Sequence, residues 1–341
     1  MALTILVAGL SIITTACSDV TSTATSAGPK KPDAKVTLVS FAVTKLAYQA
    51  VIPKFVEKWQ KAQNQKAIFQ QSYGASGSQA RAVIDGLEAD IVHLALGLDV
   101  QRIEKAGLIQ PGWEQELPND AIVTKSVPVI VTRDGNPKGI RDWPDLAKPG
   151  VSLITTDPKT SGVARWNFLA LWNSVIKTGG DDAKAMDFVA KVYANVPVLT
   201  RDAREATDAF FKQGQGDALI NYENELILAG QKGEKTNYTI PQVNVSIDNP
   251  IAVVDKNVDK HNNREIAEAF VKFLYTPEAQ TEFAKFGFRP VSVAQTKEFA
   301  DKFPPIQTLS TVKDFNGWEE IQKKFFADGA VFDKIQSQIR R

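Results

Sequence analysis

Short runs of β-branched and aromatic residues alternate along this chain with segments whose apolar residues recur at helical spacing. That alternation restricts the fold to α/β architecture with largely parallel sheets. VTLVSF (36–41) precedes a helical face of Tyr48, Val51, Ile52, Phe55, Val56 and Trp59, in which Pro53 predicts a kink or a late start. AIFQQSY (67–73) leads through GASGSQ to Ala80, Val83, Ile84 and Leu87, and ADIVHLAL (89–96) is a third strand. A second set follows, VPVIVTR (127–133), VSLITT (151–156), VPVLT (196–200) and DALINY (217–222), again separated by helices. NPIAVVDK (249–256) reads as a strand, and Ile266, Ala269, Phe270, Phe273 and Leu274 mark a helix. Thr276 and Pro277 suit the cap and first position of another, which Gly287 can end.

A chain of 341 residues, 43% hydrophobic and 23% charged, can bury a sizeable core and suits two domains better than one. Lys and Arg (40) nearly cancel Asp and Glu (39), and no long run of one sign occurs, so a nucleic-acid surface has no support. Any charged ligand must be recognised locally. The first residues differ in kind: MALTILVAGLSIITTACSD is apolar up to Cys17 and gives way to TSTATSAGPKKPDAK. This reads as a lipoprotein-type signal over 1–17, with lipid on the Cys17 thiol, and a flexible tether over 18–35. Thr14 stands where such signals usually carry Leu, and no Lys or Arg precedes the apolar run. The alternative is a plain secretory signal with an incidental cysteine. The run is shorter than the roughly 20 residues of a spanning helix. Cys17 is the only cysteine, which rules out disulfides within the chain and leaves the mature fold no thiol for catalysis or metal.

Three strands end alike, in small or polar residues followed by a helix: QSYGASGSQ, TTDPKTSGVAR and LTRDAREAT. The first N–H groups of a helix have no intrahelical acceptor, and the helix dipole places about half a positive charge there. Ser76, Ser161 and Gly162 suit close approach of an anion, since hydroxyls can donate and glycine lets the backbone come near. Each of these helices also carries an arginine in or near its first turn, Arg81, Arg165 and Arg204, where the dipole disfavours cations. Either an anion sits nearby or each pairs with a neighbour such as Asp85, Asp157 or Asp202. Taken together in an exported protein, the three junctions favour an anion.

Enzyme readings find less support. The sequence holds no G-x-G-x-x-G or Walker-type loop, no G-x-S-x-G elbow and no H-E-x-x-H. His93, in an apolar strand pattern, reads as a hydrogen-bonded core residue, and His261, in DKHNN, as a surface turn. No familiar metal spacing and no cofactor motif is present. Trp59, Trp166 and Trp172 fall on helical faces and should pack, whereas Trp113 and Trp143 are the candidates for exposure in loops.

DPKTSGVARWN, QSYGASGSQA, LEADIVHLALGLDV, KPGVSLIT, YENE, LYTPEAQ and FGFRPV resemble the sulfate-binding proteins of bacterial sulfate and thiosulfate ABC importers, from about Lys35 to the C-terminus. Asp157 replaces the family's Asn. The resemblance implies a type II periplasmic-binding-protein fold, two α/β lobes with an interlobe ligand cleft. Lobe one would comprise 36–126 plus 250–341 and lobe two 127–249, with crossovers near 125–128 and 248–251. It also implies residue roles. Ser76 would donate its backbone N–H and Ser161 its hydroxyl. Gly162, Val163 and Ala203 would add backbone donors, and Tyr222 stands where family members can carry a Trp. The implied ligand is a sulfate anion, and the implied partner is the membrane permease of an ABC importer, met in the periplasm by a monomeric receptor. A buried dianion needs many hydrogen bonds, and donors alone suit sulfate, which carries no proton at neutral pH. Thiosulfate, molybdate or another tetrahedral oxyanion is the alternative ligand, and an envelope enzyme using the same cleft is the alternative class.

Overall fold

The computed structural model describes residues 31–339. The first stretch runs β1 (Ala34–Phe41), α1 (Lys45–Gln63), β2 (Ala67–Gly74), α2 (Ser76–Ile84), β3 (Ile91–His93), α3 (Gly97–Lys105) and β4 (Ile122–Ser126). A second follows: β5 (Pro128–Thr132), β6 (Leu153–Thr156), α4 (Gly162–Lys177), α5 (Asp182–Ala194), β7 (Leu199–Thr200), α6 (Ala203–Phe211), β8 (Ala218–Tyr222), α7 (Glu223–Gln231) and β9 (Asn237–Thr239). The chain then returns through β10 (Val243–Val245), β11 (Ile247–Val253), α8 (Asp255–His261), α9 (Arg264–Phe273), α10 (Pro277–Lys285) and α11 (Val293–Glu298). It closes with β12 (Thr308–Ser310), α12 (Trp318–Ile321), a π-helical turn over Gln322–Phe326, and α13 (Val331–Ile339).

Two five-stranded sheets result, ordered β2-β1-β3-β11-β4 and β7-β6-β8-β5-β9. They are more mixed than the expected largely parallel sheets. In each, the strands followed by helices pair in parallel, while the strand arriving from the other sheet, β11 or β5, pairs antiparallel with both neighbours. Outgoing β4 and returning β11 lie side by side, Ser126 against Ile247 and Lys125 against Asp248. This pair carries the chain between the sheets.

The amphipathic helices cover the sheets as their spacing requires, with Tyr48, Val51, Ile52, Phe55 and Trp59 of α1 all buried. Pro53 does not interrupt α1, which runs unbroken from Lys45 to Gln63. The carbonyl it leaves without an N–H partner belongs to exposed Gln49, where water can satisfy it. Trp113 and Trp143 are both buried, against the expectation of exposure. Each indole N–H has a distant acceptor, Glu104 Oε2 at 3.0 Å and the Val243 carbonyl at 2.8 Å. The C-terminal segment also differs from the grouping of all of 250–341 with the first lobe. Phe325, Phe326 and Phe332 pack around Phe168, Trp172 and Tyr193 of α4 and α5, which belong to the second sheet.

Candidate functional site

The carboxyl ends of β1, β2, β6, β7 and β8 point into one small cavity between the sheets, where open α/β folds place their ligands. Ser76, Ser161, Gly162, Ala203 and Tyr222 all line this cavity. Val163, the second residue of α4, has its side chain buried in the core, so only its backbone belongs to the helix end. The two halves close tightly here. A Cβ on Gly162 would lie 2.6 Å from the Ala95 Cβ and 3.2 Å from the Leu96 Cγ, and one on Gly77 would lie 3.2 Å from the Thr160 carbonyl oxygen. Gly162 is therefore needed for α4 to seat against the loop after β3, and Gly77 for α2 to approach the turn before α4.

Each helix end offers its donors differently. The residues preceding α2 and α4, Ala75 and Ser161, make no side-chain capping bond, so the first N–H groups of both helices lack a protein acceptor. The Ser76 hydroxyl is fully committed, accepting from the Ala95 N–H (3.0 Å) and donating to Asp99 Oδ2 (2.7 Å). Its backbone N–H is what remains. Ser161 is buried at the cavity wall and its hydroxyl has no partner among the described residues, while its N–H is anchored on the Asp157 carbonyl at 2.8 Å. Asp202 caps α6 by accepting from the Arg204 and Glu205 N–H groups at 2.9 and 3.0 Å, which leaves the Ala203 N–H open.

Tyr222 faces Phe41 across the cavity, with ring centroids 6.2 Å apart. Burial, reinforced by the Glu225, Asp99 and Asp202 carboxylates, pushes its phenol well above the ordinary tyrosine value. The hydroxyl stays protonated and able to donate. Behind it, fully buried Asn221 ties two cavity residues together, accepting from the Tyr222 N–H and donating to the Ala203 carbonyl, both at 2.9 Å.

None of the three arginines reaches the cavity, and none pairs with the neighbouring aspartate its sequence offers. Arg165 is buried: Nε donates to the Pro158 carbonyl (2.9 Å), Nη1 donates to Gln322 Oε1 (3.0 Å), and the guanidinium lies over Phe326. Burial pushes its pKa down to about 10, so it remains charged at neutral pH. Arg204 bridges to buried Glu225 at 2.8 Å, and Arg81 is exposed. Asp157 holds the Lys159 N–H at 2.8 Å on its own turn. Among the described residues no Lys, Arg or His lines the cavity, and Asp202 is the one carboxylate in its wall. The charge available to a ligand is that of helix ends and neutral donors.

Sequence reasoning missed Phe41, Ala42, Val43, Gly74, Ala75 and Ala95, which complete the lining. The signal was present in form, because SFAVTK also runs from a strand into a helical turn, Ala42–Thr44. Between Ser40 and Thr44 stand only Phe41, Ala42 and Val43, none of the small polar residues that mark the other junctions. His93 sits in the core between the Tyr48 hydroxyl (2.8 Å) and Thr124 Oγ1 (3.2 Å), with burial pushing its pKa down to about 3. Cys17 lies outside the described residues. No group of three or more His, Cys, Asp or Glu suited to a metal ion occurs among the described residues.

Residues 36–289 match the family model described as bacterial extracellular solute-binding protein. A sulfate-binding protein from Synechococcus elongatus is 56% identical over 329 residues, covering 96% of this chain and 93% of its own length. One from Escherichia coli K12 is 41% identical over 309 residues, covering 90% and 94%. Among solved structures, the sulfate-binding protein SubI from Mycobacterium tuberculosis H37Rv superposes with a TM-score of 0.80 at 38% identity, over 86% of this chain and 100% of that one. The two mixed sheets with a cavity between them are the type II periplasmic-binding fold of such receptors. By the family model and by these relatives, the chain belongs to the bacterial extracellular solute-binding proteins, in the family that includes the sulfate-binding proteins.

Proposed function

We propose that this protein captures a sulfate dianion between its lobes outside the cytoplasmic membrane and delivers it to the permease of an ABC importer. One observation carries the reading: three helix N-termini and two hydroxyls converge on a cavity that, among the described residues, has no cation and a single carboxylate in its wall, Asp202, which caps α6. A dianion there receives the N–H groups of Ser76, Gly162, Val163 and Ala203 and the hydroxyls of Ser161 and Tyr222. Their dipoles spread the charge without a rigid salt bridge. Donors select against an oxyanion that must itself donate a proton, which separates sulfate from phosphate.

Lobe one then comprises the first sheet with its helices and lobe two the second, hinged on the β4–β11 pair, with the segment from about Thr308 travelling with lobe two. The protein works as a monomeric receptor without catalysis. Anchoring through lipid on Cys17 would keep it beside the permease. That anchor predicts partition of the mature protein with membranes and its loss in Cys17→Ser, and a wild-type protein free in the periplasm would refute it.

The decisive experiment is a thermal-shift and calorimetric series with sulfate, thiosulfate, molybdate and phosphate. Sulfate at a hundredfold over its dissociation constant adds about 2.7 kcal/mol to stability. A chain that sulfate fails to stabilise, while thiosulfate or molybdate does, has the alternative oxyanion as its ligand. One that turns over a substrate in the cleft is an enzyme.

A further inference from the structure

Taking the two-lobe capture reading above as given, we propose that Trp318 is a positioning residue for anion capture, gripping the first lobe from the second without touching the anion. Trp318 opens α12, whose following Phe325 and Phe326 pack on Phe168 and Trp172 of α4. Its ring meets Trp166 of α4 edge to face, with centroids 4.8 Å apart at 78°. These contacts fix it to the second lobe. From there its indole reaches the first lobe at Gly97, where an added Cβ would lie 3.0 Å from Trp318 Cδ1 and 3.2 Å from Nε1.

The grip extends over the whole loop after β3. Trp166 Nε1 donates to the Ala95 carbonyl at 3.0 Å, Gly162 seats against Ala95 and Leu96, and Trp318 seats against Gly97. Ala95 in turn lines the anion cavity and donates its N–H to the Ser76 hydroxyl. Trp318 is not part of that lining. Separating the lobes keeps Trp318 on Trp166 but removes it from Gly97, so this contact exists only in the closed form. Anything that disfavours closure lowers apparent affinity in proportion to the fraction able to close. The Lys105–Glu319 pair beside it (2.7 Å) is exposed and contributes little.

Gly97→Ala isolates the effect. Gly97 starts α3 outside the left-handed region, so alanine fits locally, and its methyl meets Trp318 only on closure. Sulfate binding by Gly97→Ala is expected to weaken roughly threefold to tenfold, the range set by one close aromatic contact, chiefly through faster dissociation. The melting temperature without ligand and the ratio of sulfate to molybdate affinity are expected to stay at wild-type values. In a Trp318→Leu background, which removes the obstructing indole, Gly97→Ala should cost nothing more. Wild-type sulfate affinity in Gly97→Ala, an equal loss in both backgrounds, or a changed sulfate-to-molybdate ratio would each overturn the assignment. A wild-type protein that binds neither anion would overturn the capture reading itself, and this inference with it.

Discussion

Ser161→Ala tests the site most sharply, because the side chain it alters does nothing else in the protein. A serine at a helix N-cap usually accepts from an N–H of the first turn, and its replacement by alanine then costs about 1 kcal/mol of stability. Here no such bond is made: α4 begins without a side-chain cap, and the hydroxyl of this buried residue has no protein partner among the described residues. Ligand-free Ser161→Ala should therefore melt within about 0.5 kcal/mol of wild type, the scale of a substitution that breaks no specific interaction. Binding should behave otherwise. A hydrogen bond to a charged group contributes about 1.5–3 kcal/mol, so sulfate affinity should fall about 10- to 150-fold at 1.4 kcal/mol per decade. Titration calorimetry measures the affinity, and a thermal melt without ligand controls for folding. Unchanged affinity would place the hydroxyl off the anion. Lost stability with unchanged affinity would make it the cap that the geometry denies.

Tyr222→Phe keeps the ring against Phe41 and deletes only the protonated hydroxyl, so sulfate binding should weaken by about 1.5–3 kcal/mol; side-by-side calorimetry with equal affinities would remove Tyr222 from the site. Arg289 holds fully buried Glu223 bidentately at 2.6 and 2.9 Å, and Arg289→Met should cost about 3–5 kcal/mol in denaturant unfolding at neutral pH by stranding a carboxylate. A smaller penalty at acid pH, where Glu223 takes up a proton, is part of that expectation, and a wild-type midpoint at neutral pH would contradict it. His261 lies between Asp90 Oδ1 (2.7 Å) and Glu88 Oε2 (2.9 Å), which raise its pKa above the usual histidine value. A raised folded pKa stabilises the protein fully below the unfolded value of about 6.5 and loses that contribution as pH rises through the folded pKa. The melting-temperature deficit of His261→Gln should thus be larger at pH 5.5 than at pH 8.5, and a deficit independent of pH would show the contact to be neutral.

What the sequence determined by itself was local. β-branched runs and helical spacing announced nearly every element around the cleft, because strand and helix periodicity follow from side-chain direction along a few residues. Ser76, Ser161 and Gly162 could be singled out because helix N-termini are created by adjacent residues, and Val163, Ala203 and Tyr222 because the chain there resembles known receptors. Tertiary structure decided where long side chains went. Arg165 could have turned to Asp157 or to an anion, and it found Gln322 and Phe326 instead, 157 and 161 positions away in sequence. Trp113 and Trp143 looked exposed because loop residues carry no periodicity, yet Glu104 and Val243 gave their indoles half-buried partners. The C-terminal helix docked on α4 and α5 because its apolar face needed covering and Phe168 and Tyr193 offered aromatic surface. Burial of an apolar face is non-directional, so a sequence states that such a face must be covered while only the folded chain settles by what.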